Sequence, residues 1–129
     1  MKLNTRLIMT CSAVLLALIG VVLTFLPNEM AVYMRIENSK AIQLLLQIAG
    51  AMYFALGMLN WMTRSSVIGG IYNRPVAIAN FTHYLIGALA LAKGLLNTAG
   101  LPFVFWLLAG FYIVFAVLYG FIFNRNPSV

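Results

Sequence analysis

The sequence predicts an all-α integral membrane protein, a bundle of four transmembrane helices joined by short loops. Four apolar runs, roughly 7–26, 41–62, 76–96 and 101–123, take up about two thirds of the chain, and each is near the ~20 residues a helix needs to cross a bilayer. The composition agrees, with 64% hydrophobic and 8% charged residues and a mean hydropathy of +0.99, whereas soluble domains carry about 25% charged residues. Backbone accounting excludes the alternatives. Hydrocarbon offers no hydrogen-bond partner, so peptide groups must be satisfied inside helices or a closed barrel. Barrel strands alternate lipid-facing and lumen-facing residues, and Ala13-Val14-Leu15-Leu16-Ala17-Leu18-Ile19 does not alternate. With 129 residues the chain reads as a single four-span domain over 1–129, with no room for a soluble one.

The first span follows a basic start, Lys2 and Arg6, and ends at Pro27. It lacks the small-x-small cleavage site of a secretory signal, so it is expected to stay as a signal anchor. Cys11 is not preceded by a lipoprotein signal and, as a single cysteine, forms no internal disulfide. It reads as a packing residue. The segment 28–40, NEMAVYMRIENSK, mixes apolar residues with charges at both ends, which suits a short helix lying in the interface.

The second span leads into Thr63 to Pro75, where Gly69-Gly70 and Arg74-Pro75 punctuate the chain. Pro75 suits the first turn of the third helix, where its missing N–H costs nothing. Asn97-Thr98-Ala99-Gly100 reads as a tight turn, which makes spans three and four antiparallel neighbours, and Pro102 opens the fourth.

Every span has a face of small or polar residues, the pattern that lets helices approach closely in lipid. It runs through Thr10, Ala13, Ala17, Gly20 and Thr24 in the first span, and through Gln43, Gln47, Gly50, Phe54, Gly57, Asn60 and Trp61 in the second. The third carries Asn80, His83, Tyr84, Gly87, Leu91 and Gly94, and the fourth Ala109, Tyr112, Ala116, Tyr119 and Gly120.

The eight Lys and Arg against two acids give a net charge of +6. Their distribution answers to the membrane, not to nucleic acid. Lys2, Arg6, Arg64, Arg74 and Arg125 fall on one side, and Arg35 and Lys40, offset by Glu29 and Glu37, on the other. The positive-inside rule then places both termini in the cytoplasm of a cell whose inner membrane holds the chain. The bias is moderate and leaves inverted or dual insertion open.

Polar groups at membrane depth are functional hypotheses because they are costly unless paired or hydrated. His83 lies about eight residues into the third span, roughly 12 Å deep at 1.5 Å per residue, with Asn80 one turn earlier. Asn60 and Trp61 reach a similar depth from the second span, and Arg64, Tyr72 and Arg74 ring the mouth. These residues define a candidate pocket for an anionic or amphipathic ligand. The arginines would grip the anion, Trp61 would be an apolar wall, and His83 with the asparagines would form a hydrogen-bonding floor. The competing reading has His83 and Asn80 bonding to Asn60 or to backbone carbonyls and holding helices two and three together. Gln43 and Gln47 would line a hydrated path or bond across helices, and Lys93 would snorkel to headgroups. Trp106, Phe103, Phe105 and Tyr119 read as interfacial and lipid-facing bulk rather than a stacking platform.

Other chemistries are argued down. One His and one Cys on different helices do not make a metal site. Ser65 and Ser66 have no base beside them. No intramembrane acid accompanies His83, which argues against a proton-coupled pump. The first span lacks the glutamate of small multidrug transporters, and the pore motifs of fluoride channels are missing.

The first span ending Leu26-Pro27, the amphipathic loop, the Gly-rich AGAMYFALGMLNWMTR, the Gly/Arg loop and the third span opening with Asn80 and His83 resemble the DoxX-like superfamily of small four-helix bacterial membrane proteins. Members are linked to quinone-dependent sulfur oxidation, oxidative-stress complexes and receptor assembly. The resemblance therefore implies an accessory or scaffold role and supplies no catalytic residue. The chain has no CxxC to support thiol redox chemistry. Three readings stand. The first is non-catalytic binding of a lipid-like or amphipathic molecule, or of a membrane-protein partner. In the second the chain is a subunit of a quinone-linked redox complex, with His83 on a quinone carbonyl and quinone as the one cofactor implied. In the third it is a channel or carrier formed by a homodimer along the Gln43 to Gly57 stripe.

Overall fold

The computed structural model describes residues 4–66 and 73–125; Lys2, Gly69, Gly70 and Tyr72 lie outside the described residues. Five helices follow in order: α1 (Thr5–Phe25), α2 (Pro27–Tyr33), α3 (Lys40–Thr63), α4 (Arg74–Asn97) and α5 (Phe103–Asn124). The described chain is all-helical. Four of the helices, all but α2, are long and apolar enough to cross a membrane, and each lies within two residues of a predicted span. The chain forms two compact units, one up to Ser65 and one from Ser66 onward.

In the first unit α1 and α3 run antiparallel, since Gly20 meets Gly50 while Ala13 and Ala17 meet Gly57. The contact is backbone to backbone. A methyl group on Gly50 would lie 2.5 Å from Thr24 Oγ1 and 2.8 Å from the Gly20 carbonyl, and one on Gly20 would lie 2.7 Å from the Gly50 carbonyl and the Phe54 nitrogen. Small residues are what allow this approach. The buried face of α1 is Ile8, Met9, Ser12, Ala13, Leu16 and Gly20. It is rotated from the predicted stripe toward Met9 and Ser12, the face on which Ser12 accepts from Asn60 of α3 at 3.0 Å, while Thr10 turns its hydroxyl back to the Arg6 carbonyl at 2.8 Å.

Caps define the ends. Asn4 accepts from the Leu7 amide and Ser39 from the Ile42 amide, each satisfying a donor that the first helical turn leaves open. Pro27 opens α2, which is shorter than the predicted interfacial segment. It stops in a Schellman turn: Ile36 N donates to Ala31 O and Arg35 N to Val32 O, both at 3.1 Å, with Arg35 at φ +58°. Beyond it Asn38 bonds to Asn28 and Gln43 Nε2 donates to Asn38 Oδ1 at 2.8 Å, tying α2 to the start of α3.

In the second unit α4 and α5 are antiparallel neighbours, as the short turn through Gly100 (φ +80°) requires. Pro75 lies in the first turn of α4. Here side chains fill the interface. Tyr84 is fully buried, with its ring centroid 5.0 Å from Phe115, 5.1 Å from Tyr112 and 5.7 Å from Tyr119. Gly87 makes room for Tyr112, since a methyl there would lie 2.3 Å from Tyr112 Cε1. The sequence reads Tyr119 both as part of the packing face of the fourth span and as interfacial or lipid-facing bulk, and the second reading is corrected. Tyr119 is fully buried and stacks on Tyr84 at an interplanar angle of 12°, because it shares the Tyr112 and Ala116 face that α5 turns toward α4. Trp106 and Phe103 are exposed. On α4 the buried positions after Tyr84 are Ala88 and Leu95 rather than Leu91 and Gly94.

Candidate functional site

The six residues singled out in the sequence divide three and three between the units. In the first unit Asn60 is fully buried and its amide nitrogen donates to the Ser12 hydroxyl at 3.0 Å, joining α3 to α1. Trp61 faces outward, 43% exposed, because it follows Asn60 by 100° around the helix. Arg64 caps the end of α3 and folds back on this ring. Its Cζ is 3.7 Å from the ring centroid, and Nη1 donates to the Trp61 carbonyl at 2.6 Å. The guanidinium thus satisfies a carbonyl left open by the helix end and lies on an aromatic face that attracts cations.

In the second unit Asn80 is fully buried and donates from Nδ2 to the Val76 carbonyl, one turn back on its own helix, at 2.9 Å. His83 is half-buried. Its Nε2 is hydrogen-bonded to the Tyr112 hydroxyl at 2.9 Å, and its ring meets Tyr84 edge to face at 5.1 Å. Arg74 is exposed at the start of α4, with Cζ 5.1 Å from the centroid of Phe123 on α5. Phe123 in turn stacks on Phe81 with ring planes 6° apart.

Within each unit, then, the structure joins Arg64 to Trp61 and His83 to Tyr112. Asn60 and Trp61, consecutive in sequence, point to different surroundings. Gln47 bonds across helices, donating to the Thr24 carbonyl at 3.2 Å, and Lys93 is exposed. Ser12, Tyr112 and the Tyr84 ring cluster are the partners that sequence reasoning did not assign. Their signal was present in Tyr84, Tyr112 and Tyr119 on small-residue faces, but ring pairing across two helices requires their register.

The arrangement holds groups together more than it prepares them to react. The Ser12 hydroxyl accepts from an amide, and the Tyr112 hydroxyl and His83 imidazole bond to one another. Cys11 is exposed on the opposite side of α1 from the Met9 and Ser12 face. What remains is a set of aromatic faces with arginines at helix ends, in helices whose outward surfaces are apolar. That defines an α-helical membrane protein with amphipathic helix ends. No protein-family model, no curated protein and no solved structure matches the chain.

Proposed function

We propose that this chain is a non-catalytic protein of the bacterial inner membrane, with both termini cytoplasmic, that holds a lipid-like or other amphipathic molecule. Its role would be accessory, of the kind the DoxX-like resemblance implies. One observation carries the reading: Arg74 and Arg64 each lie over an aromatic ring at a helix end, while the deeper polar side chains Ser12, Asn60 and His83 engage one another or Tyr112. An arginine stacked at the border of an apolar surface presents donors to an anion and a flat face to hydrocarbon, which is the chemistry an amphipathic anion matches.

The test is native mass spectrometry of gently solubilised protein with extraction of whatever co-purifies. A stoichiometric amphipathic molecule is expected. Protein that emerges empty overturns the reading, and a stoichiometric quinone would replace it with the quinone-linked redox subunit.

A further inference from the structure

The two arginines that lie over rings are not held alike. Arg74 stands 5.1 Å from the Phe123 centroid, whereas Arg64 stands 3.7 Å from that of Trp61 and donates from Nη1 to the Trp61 carbonyl at 2.6 Å. That bond uses one of the five N–H donors of a guanidinium. The edge formed by Nε and Nη2 has no partner among the described residues, and Arg64 is only half-buried. Such an edge matches two oxygens of a phosphate or carboxylate with two parallel donors. The ring and the carbonyl hold it in place before any anion arrives.

No acidic side chain stands at this end of the first unit. Because α1 and α3 are antiparallel, Arg6 shares the end with Arg64. Arg6 lies six residues before Ser12 and Arg64 four beyond Asn60, about 9 Å and 6 Å along the helices from the Ser12–Asn60 bond. Glu29 is on α2 and Glu37 just before α3, at the opposite end, where Asn38 bonds to Asn28 and Gln43. The 24 residues of α3 put about 36 Å between that end and Arg64. From Ser66 onward the chain contains no Asp or Glu. Below Arg64 the surface of α3 is apolar. Phe54, Met58 and Trp61 recur at intervals of four and three residues, which keeps them on one face, and all three are exposed. They form a strip about 10 Å long with a cation at its end.

We infer that this strip seats an anionic phospholipid, its phosphate on the Nε–Nη2 edge of Arg64 and one acyl chain along Trp61, Met58 and Phe54, which rests on the reading above that the chain holds an amphipathic molecule and adds its place and charge. Anionic headgroups gather at cations beside a membrane. A guanidinium already fixed on a ring and a carbonyl gives up little further freedom in binding one. Trp61 serves twice, since its face attracts the cation and its exposed surface borders hydrocarbon.

The test reads each tryptophan of the full-length chain by itself, Trp61 after Trp106→Phe and Trp106 after Trp61→Phe, in mixed micelles. Phosphatidylglycerol and, separately, phosphatidylcholine are added with brominated acyl chains, which quench an indole they touch. At Trp61 phosphatidylglycerol is expected to bind about fivefold more tightly than phosphatidylcholine, while Trp106 is quenched by both alike. R64Q should abolish the preference at Trp61. R64K keeps the charge and gives up the paired donors and the flat face, so it should retain only part of the preference. R6Q, at the same end of the unit, should change it less than R64Q does. Equal losses in R6Q and R64Q would show a general attraction to the basic end and no seat at Arg64, and full retention in R64K would show that charge acts without the edge; either overturns the site. If R64Q leaves the preference unchanged while native mass spectra of the unmodified chain show a stoichiometric amphiphile, the site lies elsewhere and the amphipathic-ligand reading survives. Protein that retains no amphiphile removes both.

Discussion

In the α1–α3 pair glycines let two backbones meet, whereas in the α4–α5 pair a glycine lets a tyrosine ring in. Both pairs solve one problem. Lipid tails are as apolar as leucine, so helices in a bilayer gain nothing from hiding apolar surface and must associate through close packing and hydrogen bonds. The first pair gains contact by shortening the distance between helix axes along Gly20, Gly50 and Gly57. The second keeps large side chains at the interface and fits them to each other, with Tyr84 as the hub of a ring cluster. The difference decides how each tolerates change, because a backbone cannot move aside and a ring can.

The largest effect is expected at Gly50. Gly50→Leu places side-chain carbons where Thr24 and the Gly20 carbonyl already are, and overpacking against backbone should cost about 3 kcal/mol. Each pair carries one tryptophan, Trp61 and Trp106, so single-tryptophan chains unfolded in mixed micelles report the two separately. The Trp61 signal should shift and the Trp106 signal should hold. Unchanged unfolding of the first pair would mean that the close approach is not what holds it.

Gly87→Ala should cost less, about 2 kcal/mol, because the nearest atoms to its new methyl are those of the Tyr112 ring, at 2.3 and 2.5 Å. A double-mutant cycle sharpens the contrast. Tyr112→Leu should cost the Gly87→Ala chain less than it costs the parent, since it removes the colliding ring. In the first pair no side-chain truncation relieves Gly50→Ala, whose contacts with the Gly20 carbonyl and the Thr24 nitrogen persist. Additive effects at Gly87 and Tyr112 would show that the ring does not occupy the space above that glycine.

These two glycines also mark what could be read in advance. Length and hydropathy fix the four membrane-crossing helices, because an apolar run near 20 residues has few other fates. The small residues of α1 and α3 were legible as a packing stripe, and Gly20, Gly50 and Gly57 lie on it. The rotation toward Ser12 was not, since it goes with a bond to Asn60 on α3, a pairing between helices that the periodicity of one helix does not encode. Tyr119 drew two opposed readings, packing face and interfacial bulk, because an aromatic near a helix end has the same composition whether it faces lipid or a neighbouring ring. For the candidate site the residue types were legible and their partners were not. Asn60 had several groups within reach, and only the register of α3 against α1 gives it Ser12, whereas Arg64 meets Trp61 three residues back on its own helix.

A smaller effect of opposite sign is expected in the turn after α2. Arg35 occupies the left-handed region at φ +58°, at the position of the Schellman turn that glycine fills best. An L side chain there costs about 1 kcal/mol, so Arg35→Gly should stabilise the first pair by about that amount. Denaturant midpoints of the Trp61 chain measure it. A loss of stability would mean that the Arg35 side chain makes contacts worth more than the strain it bears.

The smallest effects compare one hydrogen bond from each pair. Ser12→Ala removes the hydroxyl that accepts from Asn60, and Tyr112→Phe removes the one bonded to His83 while leaving its ring packing in place. Hydrogen bonds between membrane helices average about 0.6 kcal/mol, because the separated helices find other partners. The two sites differ in how readily such partners are found. Ser12 and Asn60 are both fully buried, where rearrangement is confined by packing, and Ser12→Ala should exceed that average. His83 is only half-buried, so its ring is less confined than Asn60, and Tyr112→Phe should fall below it. Equal costs in the two single-tryptophan chains would mean that burial does not set the strength of these bonds, and that the two pairs differ in packing alone.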